Sequence, residues 1–326
     1  MNEDAPLLQV RDLSISFDTM DGPVHAVSNL SFDLAAGRTL GVVGESGCGK
    51  TMTALAVLGL IPAPGKVQGG SILLGGEELL GMDEARLVGL RGNQVSMIFQ
   101  EPMSALNPVM TIGAQIAEAY RLHNEATRRQ ARDYSLTQLE RVDMPDAPRR
   151  MDAYPHQLSG GMRQRAMIAM ALACRPSLLI ADEATTALDT TVQAQILELL
   201  IELQSELGMA ILFISHNLGV VSEIADEVMV MYAGRAVERA PAEDLFSAPS
   251  HPYTQGLLAS LPDRAERGQP LAAIPGAVPD PLAPVAGCAF HARCAQAADE
   301  CLAGPPALSA LSPERMVACT RAEAGS

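Results

Sequence analysis

The stretch of sequence that decides the fold is Gly44-Glu45-Ser46-Gly47-Cys48-Gly49-Lys50-Thr51. It matches G-x-x-x-x-G-K-[ST], the P-loop, in which glycines let backbone N–H groups turn toward phosphates at the start of a helix. An apolar run over residues 40–43 precedes it, and residues 51–60 have helical periodicity. A flexible glycine-rich connection is the alternative, but the strand–loop–helix context favours the P-loop. We expect Lys50 to reach the β- and γ-phosphates of a nucleotide and the Thr51 hydroxyl to bind Mg²⁺.

A second informative segment is an apolar run that ends in two carboxylates. Residues 178–181 read Leu-Leu-Ile-Ala and lead directly into Asp182 and Glu183. Adjacent residues on a strand point in opposite directions, so the two acids are expected to take different tasks. We expect Asp182 to hold Mg²⁺ through water and Glu183 to act as general base toward the attacking water. A solvated acidic turn is the alternative, but the apolar run predicts burial, and buried carboxylates need partners.

Three further positions complete the candidate site. Ser159-Gly160-Gly161 opens a predicted helix, and serine is a favoured N-cap, so a plain capped helix is the alternative interpretation of these three residues. Gln100 follows the predicted strand 96–99, and His216 follows the predicted strand 210–215. Ligands of parallel α/β folds bind at the carboxyl ends of the strands, so both side chains belong to the expected edge of the sheet.

Composition narrows the class of protein. The chain has 326 residues, 48% of them hydrophobic, and carries 23 basic against 38 acidic residues, a net charge of −15. Nucleic-acid binding needs clustered positive charge, so this balance argues against it. The acidic start, residues 1–4, does not resemble a secretory signal, and no apolar stretch approaches the roughly 20 residues that span a bilayer. We expect a cytoplasmic protein that other subunits would hold at any membrane.

The order of predicted elements indicates an α/β fold with an insertion. Residues 7–17, 24–27 and 31–34 are strand-like, and residues 104–175 are mostly helical. Strands and helices then alternate over residues 178–232, which predicts a parallel sheet covered on both faces. The sequence therefore predicts a sheet-based core with an inserted helical subdomain.

The composition changes beyond residue 240. Proline and glycine are frequent over residues 262–287, as in a linker. Four cysteines follow, and in a cytosolic chain such a group indicates metal binding more than disulfides. Four thiolates can ligate a [4Fe-4S] cluster or Zn²⁺, with free thiols as the alternative. The four candidate ligands are Cys288, Cys294, Cys301 and Cys319.

Taken together, these motifs resemble the ATP-binding cassette (ABC) ATPases, and most closely the oligopeptide/dipeptide permease ATPases. Three stretches carry this resemblance: residues 100–108 (Gln-Glu-Pro-Met-Ser-Ala-Leu-Asn-Pro), 158–165 (Leu-Ser-Gly-Gly-Met-Arg-Gln-Arg) and 182–189 (Asp-Glu-Ala-Thr-Thr-Ala-Leu-Asp). Met162 replaces the Gln of the general signature, and Ala184 stands where the family often has Pro. Neither change removes a catalytic group.

The resemblance implies an architecture. The fold class is α/β, a P-loop ABC ATPase with a RecA-like parallel-sheet core, an antiparallel β subdomain, an inserted helical subdomain and a Cys-containing C-terminal extension. The ATPase domain is expected over residues 1–240, with the helical subdomain at about 104–175. The extension is expected over residues 241–326, and the family favours a [4Fe-4S] cluster in it, with Zn²⁺ as the alternative.

The resemblance also implies roles for individual residues. Phe17 is expected to stack on adenine, Gln100 to contact Mg²⁺ and the attacking water, and His216 to contact the γ-phosphate. Magnesium would be held through Thr51, Gln100 and Asp182. The signature residues Ser159, Gly160 and Gly161 are expected to act in trans on the nucleotide of a second cassette. Residues 187–189 match the loop that crosses that interface.

The function that the resemblance implies is ATP hydrolysis coupled to the import of di- and oligopeptides. The implied partners are two transmembrane permease subunits, a second ABC ATPase, and indirectly an extracytoplasmic solute-binding protein, at the cytoplasmic face of the inner membrane. A heterodimer of ATPases is favoured and a homodimer stays open, and no nucleic acid is expected. Nickel or glutathione import remains an alternative. So does a non-transport ABC ATPase, but the single cassette disfavours it.

Overall fold

The computed structural model describes residues 6–185, 189–261, 272–283 and 285–322. Two compact units make up this part of the chain. We call the unit built mainly from Gly81–Leu212 the helical unit. The core unit comprises Leu8–Leu34, Thr39–Leu80 and the described residues from Phe213 onward. Residues 262–271 and 284 of the predicted linker lie outside the described residues, as do Ala187 and Leu188 of the predicted interface loop.

The first part of the core unit combines a small antiparallel sheet with the strand and helix that flank the P-loop. Strand β1 pairs antiparallel with β2 on one side and with β4 on the other, and the sheet order is β2-β1-β4-β5. The elements are β1 (Leu8–Thr19), β2 (Gly22–Leu34), β3 (Thr39–Val43), α1 (Lys50–Val57), β4 (Gly65–Leu74) and β5 (Glu77–Glu78).

Two sequence predictions are corrected in this region. The strands predicted separately over residues 24–27 and 31–34 form the single strand β2. It continues through a bulge at the left-handed Asn29 (φ 50°), where the pairing with β1 shifts register between Leu13 and Ile15. The helix predicted to residue 60 ends at Val57, since Gly59 is left-handed (φ 62°) and cannot continue the helical path. The strands β4 and β5 were not predicted.

The helical unit contains two parallel strands among its helices. Strands β6 and β7 pair in parallel, and all five residues of β7 are buried. The predicted strands 96–99 and 178–181 are thereby confirmed to within a residue. The elements are α2 (Glu84–Leu90), β6 (Val95–Ile98), α3 (Pro102–Ala105), α4 (Ile112–His123), α5 (Arg128–Arg141), α6 (Ala147–Arg150), α7 (Gly160–Ala171), β7 (Leu178–Asp182) and α8 (Thr190–Leu207).

Strand β8 leads the chain from the helical unit back into the core unit. In the core unit, β3 pairs in parallel with β9, and the sheet continues in the order β3-β9-β10-β12-β11. The C-terminal extension thus adds the edge strands of this sheet. No helix among the described residues is long and apolar enough to cross a bilayer. The elements are β8 (Ala210–Ile214), α9 (Leu218–Ile224), β9 (Glu227–Tyr232), β10 (Arg235–Pro241), α10 (Ala242–Ser247), α11 (Pro252–Ala259), β11 (Ser309–Ser312) and β12 (Arg315–Val317).

Candidate nucleotide-binding site

The P-loop connects β3 to α1 in the core unit, and two of its glycines are required by close backbone approach. Gly44 has φ 152°, and a Cβ there would collide with the Met231 carbonyl oxygen. Gly49 has φ 102°, and a Cβ there would collide with the Ala26 carbonyl oxygen. The Gly234 N–H donates to the Cys48 carbonyl at 3.1 Å, which ties the loop to the turn after β9. The loop therefore follows a path that only glycine permits at these two points.

Lys50 lies inside the loop at the first turn of α1. Its side chain is buried, and its Nζ donates to the carbonyl oxygens of Gly44 at 2.7 Å and Glu45 at 3.1 Å. Thr51 beside it is exposed. The N-terminus of a helix favours anions, so the ammonium and the helix dipole both present positive charge at this loop. The arrangement is suited to a bound phosphate chain.

Cys48 is the third side chain of the loop with its own chemistry. Its thiol lies 3.6 Å from the Lys50 Nζ, which favours the thiolate. Burial nevertheless raises the pKa of Cys48 above its ordinary value of 9.0, since desolvation outweighs the nearby ammonium. The thiol is therefore protonated at neutral pH.

In the helical unit, the structure brings Gln100 and Glu183 into direct contact. Gln100 follows β6 and Glu183 follows β7, and the Gln100 Nε2 donates to the Glu183 Oε2 at 2.7 Å. Asp182 is the last residue of β7 and is 3% exposed. The sequence predicts both acids on the strand, but Glu183 is left-handed (φ 49°) and leaves it. Left-handed backbone in a residue other than glycine is costly and concentrates at functional sites.

The serine–glycine segment forms the start of α7, also in the helical unit. Ser159 caps the helix, with its Oγ accepting from the Met162 N–H at 3.4 Å, and both Ser159 and Gly160 are exposed. A Cβ on Gly161 would lie 2.7 Å from the Val192 Cγ1, so this glycine permits contact between α7 and α8. The helix start is capped and exposed, and its first two helical residues are glycines.

Phe17 and His216 both lie in the core unit. Phe17 is half-buried on β1, where Gly65 of β4 leaves room for its ring. His216 is exposed directly after β8, and the neighbouring Ser215 N–H donates to the Val42 carbonyl at 3.1 Å. That bond places His216 beside the strand that leads into the P-loop. Its position at the carboxyl end of the strand is the one predicted.

Two contacts to the P-loop come from the C-terminal extension and were not predicted. The Glu45 N–H donates to the Tyr253 hydroxyl at 2.9 Å. The Arg293 guanidinium donates to both carboxylate oxygens of Glu45, at 2.7 and 3.0 Å. Glu45 in turn raises the pKa of Arg293 above its ordinary value, because the carboxylate stabilises the charged form. The only signal in the sequence was that Arg293 immediately precedes Cys294. This segment was interpreted through its cysteines, so a role for Arg293 was not predicted.

The four C-terminal cysteines line one narrow cavity, but the predicted metal site is wrong. Within the residues that the structure describes, no group of three or more His, Cys, Asp or Glu side chains is arranged to hold a metal ion. This arrangement does not support the predicted iron–sulfur cluster or its zinc alternative. Burial raises the pKa of Cys288 and of Cys294, so both thiols are protonated at neutral pH when no metal is bound. The cysteines are the free thiols Cys288, Cys294, Cys301 and Cys319.

His251, which also lines this cavity, should make the fold acid-sensitive. It is 1% exposed, and burial lowers its pKa from 6.5 to about 4. In the unfolded chain the His251 imidazole therefore takes up a proton near pH 6.5, whereas in the folded chain it does so only near pH 4. The contribution to stability is complete above pH 6.5 and is lost as the pH falls toward 4. Between pH 7.5 and pH 5 we expect a loss of about 2 kcal/mol from this residue.

The variant His251→Asn tests this expectation. The His251 Nδ1 accepts the Tyr253 N–H at 3.0 Å as the cap of α11, a role that asparagine also fills. Glu238 accepts the backbone N–H of residue 251 at 2.9 Å, a contact that the substitution leaves in place. Urea unfolding at pH 7.5 and pH 5 should show a smaller loss in this variant than in wild type. The control His25→Asn changes an exposed histidine and should lose as much as wild type. Equal losses in all three proteins would contradict the assignment.

Comparison with known proteins identifies the family. The ABC transporter family matches residues 27–186, and the oligopeptide/dipeptide transporter C-terminal region matches residues 237–301. The oligopeptide transport ATP-binding protein OppD of Salmonella typhimurium is 51% identical over 313 residues, covering 96% of this chain and 93% of that protein. OppD of Haemophilus influenzae is 51% identical over 300 residues, covering 92% of this chain and 93% of that protein.

Solved structures agree on the fold. The dimeric bacterial ABC transporter cassette MJ0796 aligns with a TM-score of 0.66 at 22% identity, covering 72% of this chain and 98% of that chain. The cassette cbiO1 of Clostridium perfringens aligns with a TM-score of 0.64 at 24% identity, covering 75% and 92%. These likenesses confirm the predicted fold class.

A P-loop, a capped serine–glycine helix start and a buried strand ending in paired acids, on this fold, define the class of ABC ATPases. At about half identity over nearly the whole chain, the protein belongs to the family of ABC transporter ATP-binding proteins, in its oligopeptide/dipeptide branch. The predicted resemblance and the predicted ATPase activity are confirmed. ATP and Mg²⁺ are accordingly the ligands of the class.

Proposed function

We propose that the chain is the ATP-hydrolysing subunit of an importer of di- and oligopeptides. The observation that carries the proposal is that similarity to oligopeptide transport ATP-binding proteins extends over both the cassette and the C-terminal extension. ATP binding would draw two cassettes together, and hydrolysis would release them. Partner membrane subunits would convert this cycle into solute uptake.

Within the core unit, we assign ATP binding to residues 44–51 of the P-loop. The loop backbone follows the glycine-dependent path described above, and Lys50 adds a buried ammonium at the start of α1. We assign adenine stacking to Phe17, because its ring is half-buried and supported by Gly65. His216 contacts the γ-phosphate from the carboxyl end of β8. The exposed Thr51 hydroxyl presents an oxygen donor of the kind that Mg²⁺ prefers.

Within the helical unit, we assign hydrolysis to Glu183 and Gln100. Glu183 takes a proton from the attacking water, so that the water oxygen forms its bond to the γ-phosphorus as the bond to ADP breaks. Gln100 holds the Glu183 carboxylate through the 2.7 Å hydrogen bond and contacts the same water. Asp182 and Gln100 present oxygen donors of the kind that Mg²⁺ prefers. When bound, Mg²⁺ would neutralise part of the phosphate charge.

We further propose that Ser159, Gly160 and Gly161 act in trans. The exposed, capped start of α7 suits the γ-phosphate held by a second cassette, because the N–H groups of a helix start favour an anion. A lone cassette would then hydrolyse ATP poorly. The second cassette is a similar ATPase, in a heterodimer by preference.

The membrane partners are two permease subunits, with a solute-binding protein outside the membrane. The helical unit exposes large apolar side chains after Gln100, among them Val109 at 79% and Leu122 at 74%. These suit contact with a membrane subunit, which would hold the chain at the cytoplasmic face of the inner membrane. The proposed division is an ATPase domain over 1–240, with its helical subdomain at about 104–175, and an extension over 241–326.

The test is uptake by the assembled transporter. The chain is purified with two permease subunits and a second ATPase from the same organism, reconstituted in liposomes, and supplied with a solute-binding protein. ATP-dependent accumulation of a labelled tripeptide is the expected result. Accumulation of nickel or glutathione without peptide would reassign the substrate, and ATP hydrolysis without uptake of any of the three would contradict the importer role.

A further inference from the structure

We propose that Arg293 of the C-terminal extension is a positioning residue for the P-loop. Its guanidinium holds Glu45 and neutralises that carboxylate within a loop that must accept an anionic nucleotide. The inference rests on the proposed function, in that the P-loop is the ATP site, and adds to it a residue 248 positions away in sequence. The extension then serves the reaction itself as well as the fold.

The contact between Arg293 and Glu45 is a bidentate ion pair. The Nη1 and Nη2 groups donate to separate carboxylate oxygens at 2.7 and 3.0 Å. The Arg293 side chain is 6% exposed and that of Glu45 is 28% exposed. Bidentate pairs of this kind are stronger and more directional than single hydrogen bonds. Partial burial also reduces screening by solvent and salt. Glu45 is therefore fixed in one orientation.

Arg293 is itself held in place by its own unit. Its Nε donates to the Pro275 carbonyl at 3.0 Å, and its Nη1 also donates to the Tyr232 hydroxyl at 3.3 Å. The guanidinium carbon lies over the rings of Tyr232 and Phe290, at 5.8 and 5.9 Å from their centroids. Little rotamer freedom remains to be lost when the guanidinium holds Glu45.

Glu45 passes this restraint to the phosphate-binding backbone. Its N–H donates to the buried Tyr253 hydroxyl at 2.9 Å, and burial raises the pKa of Tyr253, which keeps the phenol neutral. Its carbonyl accepts from the Lys50 Nζ at 3.1 Å and from the Cys48 N–H at 3.3 Å. Side chain, N–H and carbonyl of one P-loop residue are thus all engaged, two of them by the extension.

The proposal predicts an effect of the Glu45 charge on nucleotide binding, which a merely structural role of Arg293 would not produce. Without Arg293, the Glu45 carboxylate remains in the loop uncompensated and repels the nucleotide phosphates. Removing the carboxylate as well should then restore binding. If Arg293 served only to dock the extension, the second substitution would restore nothing.

The experiment measures the Kd of a fluorescent Mg-ATP analogue for the purified full-length chain. Arg293→Met should weaken binding by about tenfold, a change of about 1.4 kcal/mol. Glu45→Gln is measured as the second single variant, and the double variant should bind at least about threefold more tightly than Arg293→Met alone. Arg321→Met is the matched control, because Arg321 pairs with Glu300 at 3.3 Å in the same extension, and both are exposed. It should bind as wild type does.

Each other outcome counts against the inference. Wild-type affinity in a folded Arg293→Met variant would overturn it, as would a double variant that binds as weakly as Arg293→Met alone. Should Arg293→Met fail to fold, Arg293→Lys decides, since lysine keeps the charge but not the two-pronged geometry. About threefold weaker binding is then expected, and unchanged affinity overturns the inference. Failure of the wild-type chain to bind Mg-ATP would instead overturn the proposed function, and this inference with it.

Discussion

Replacing Glu183 by glutamine is expected to slow ATP hydrolysis by a factor of about 10²–10⁴ while ATP still binds. Glutamine has nearly the same shape and can still accept the hydrogen bond from the Gln100 Nε2, so the local structure should persist. It cannot accept the proton of the attacking water, however. With binding intact and hydrolysis stalled, the cassettes should accumulate in the closed, ATP-bound dimer.

The measurement has two parts. Steady-state phosphate release is followed in the assembled transporter, and gel filtration with Mg-ATP reports the trapped dimer. Glu202→Gln is the control, because Glu202 is an exposed acid on α8 of the same unit and should leave turnover unchanged. Wild-type turnover in the Glu183→Gln protein would remove the general-base assignment. A loss of ATP binding would show that Glu183 holds the loop geometry instead.

Replacing Lys50 by alanine is expected to weaken Mg-ATP binding by about a hundredfold, roughly 3 kcal/mol. A hydrogen bond to a charged group contributes about 1.5–3 kcal/mol, and Lys50 is assigned contacts to two phosphates. The substitution also removes the ammonium that donates to the Gly44 and Glu45 carbonyls. The defect should therefore appear in Kd rather than in the chemical step.

The chain offers a matched control for this experiment, since it contains only two lysines. The other, Lys66, is exposed on β4 and pairs with Asp18 at 2.9 Å. Lys66→Ala removes the same charge and should bind Mg-ATP as wild type does. Thermal unfolding of both variants checks that the fold is retained. An unchanged Kd for a folded Lys50→Ala protein would contradict the assignment of this loop.

The parts of the site that depend on local backbone conformation could be predicted from the sequence. The P-loop could be predicted directly because the positive φ values at Gly44 and Gly49 need glycine, and because the flanking strand and helix have distinct periodicities. The carboxyl-end rule for parallel strands likewise placed Gln100 at the edge of the sheet, where the structure brings it together with Glu183. Their 2.7 Å contact follows from the parallel pairing of β6 with β7.

Contacts that depend on distant parts of the chain could not be predicted. Nothing in the sequence near Glu45 indicates Arg293 or Tyr253 as partners, because the extension reaches the P-loop only through tertiary packing. The cysteine segment shows the opposite error, because there the sequence predicted a metal site that the structure does not support. A group of thiols in sequence indicates a metal, but the number of thiols says nothing about the arrangement in space that ligation needs.

The burial of Cys48 changes how chemical inactivation of this ATPase should be interpreted. Alkylating reagents attack the thiolate, and this thiol is both buried and protonated within the P-loop. Cys174, Cys288, Cys294 and Cys319 are each partly accessible. A maleimide is therefore expected to modify these partly accessible thiols before Cys48, and protection by ATP would not by itself locate the modified residue at the phosphates.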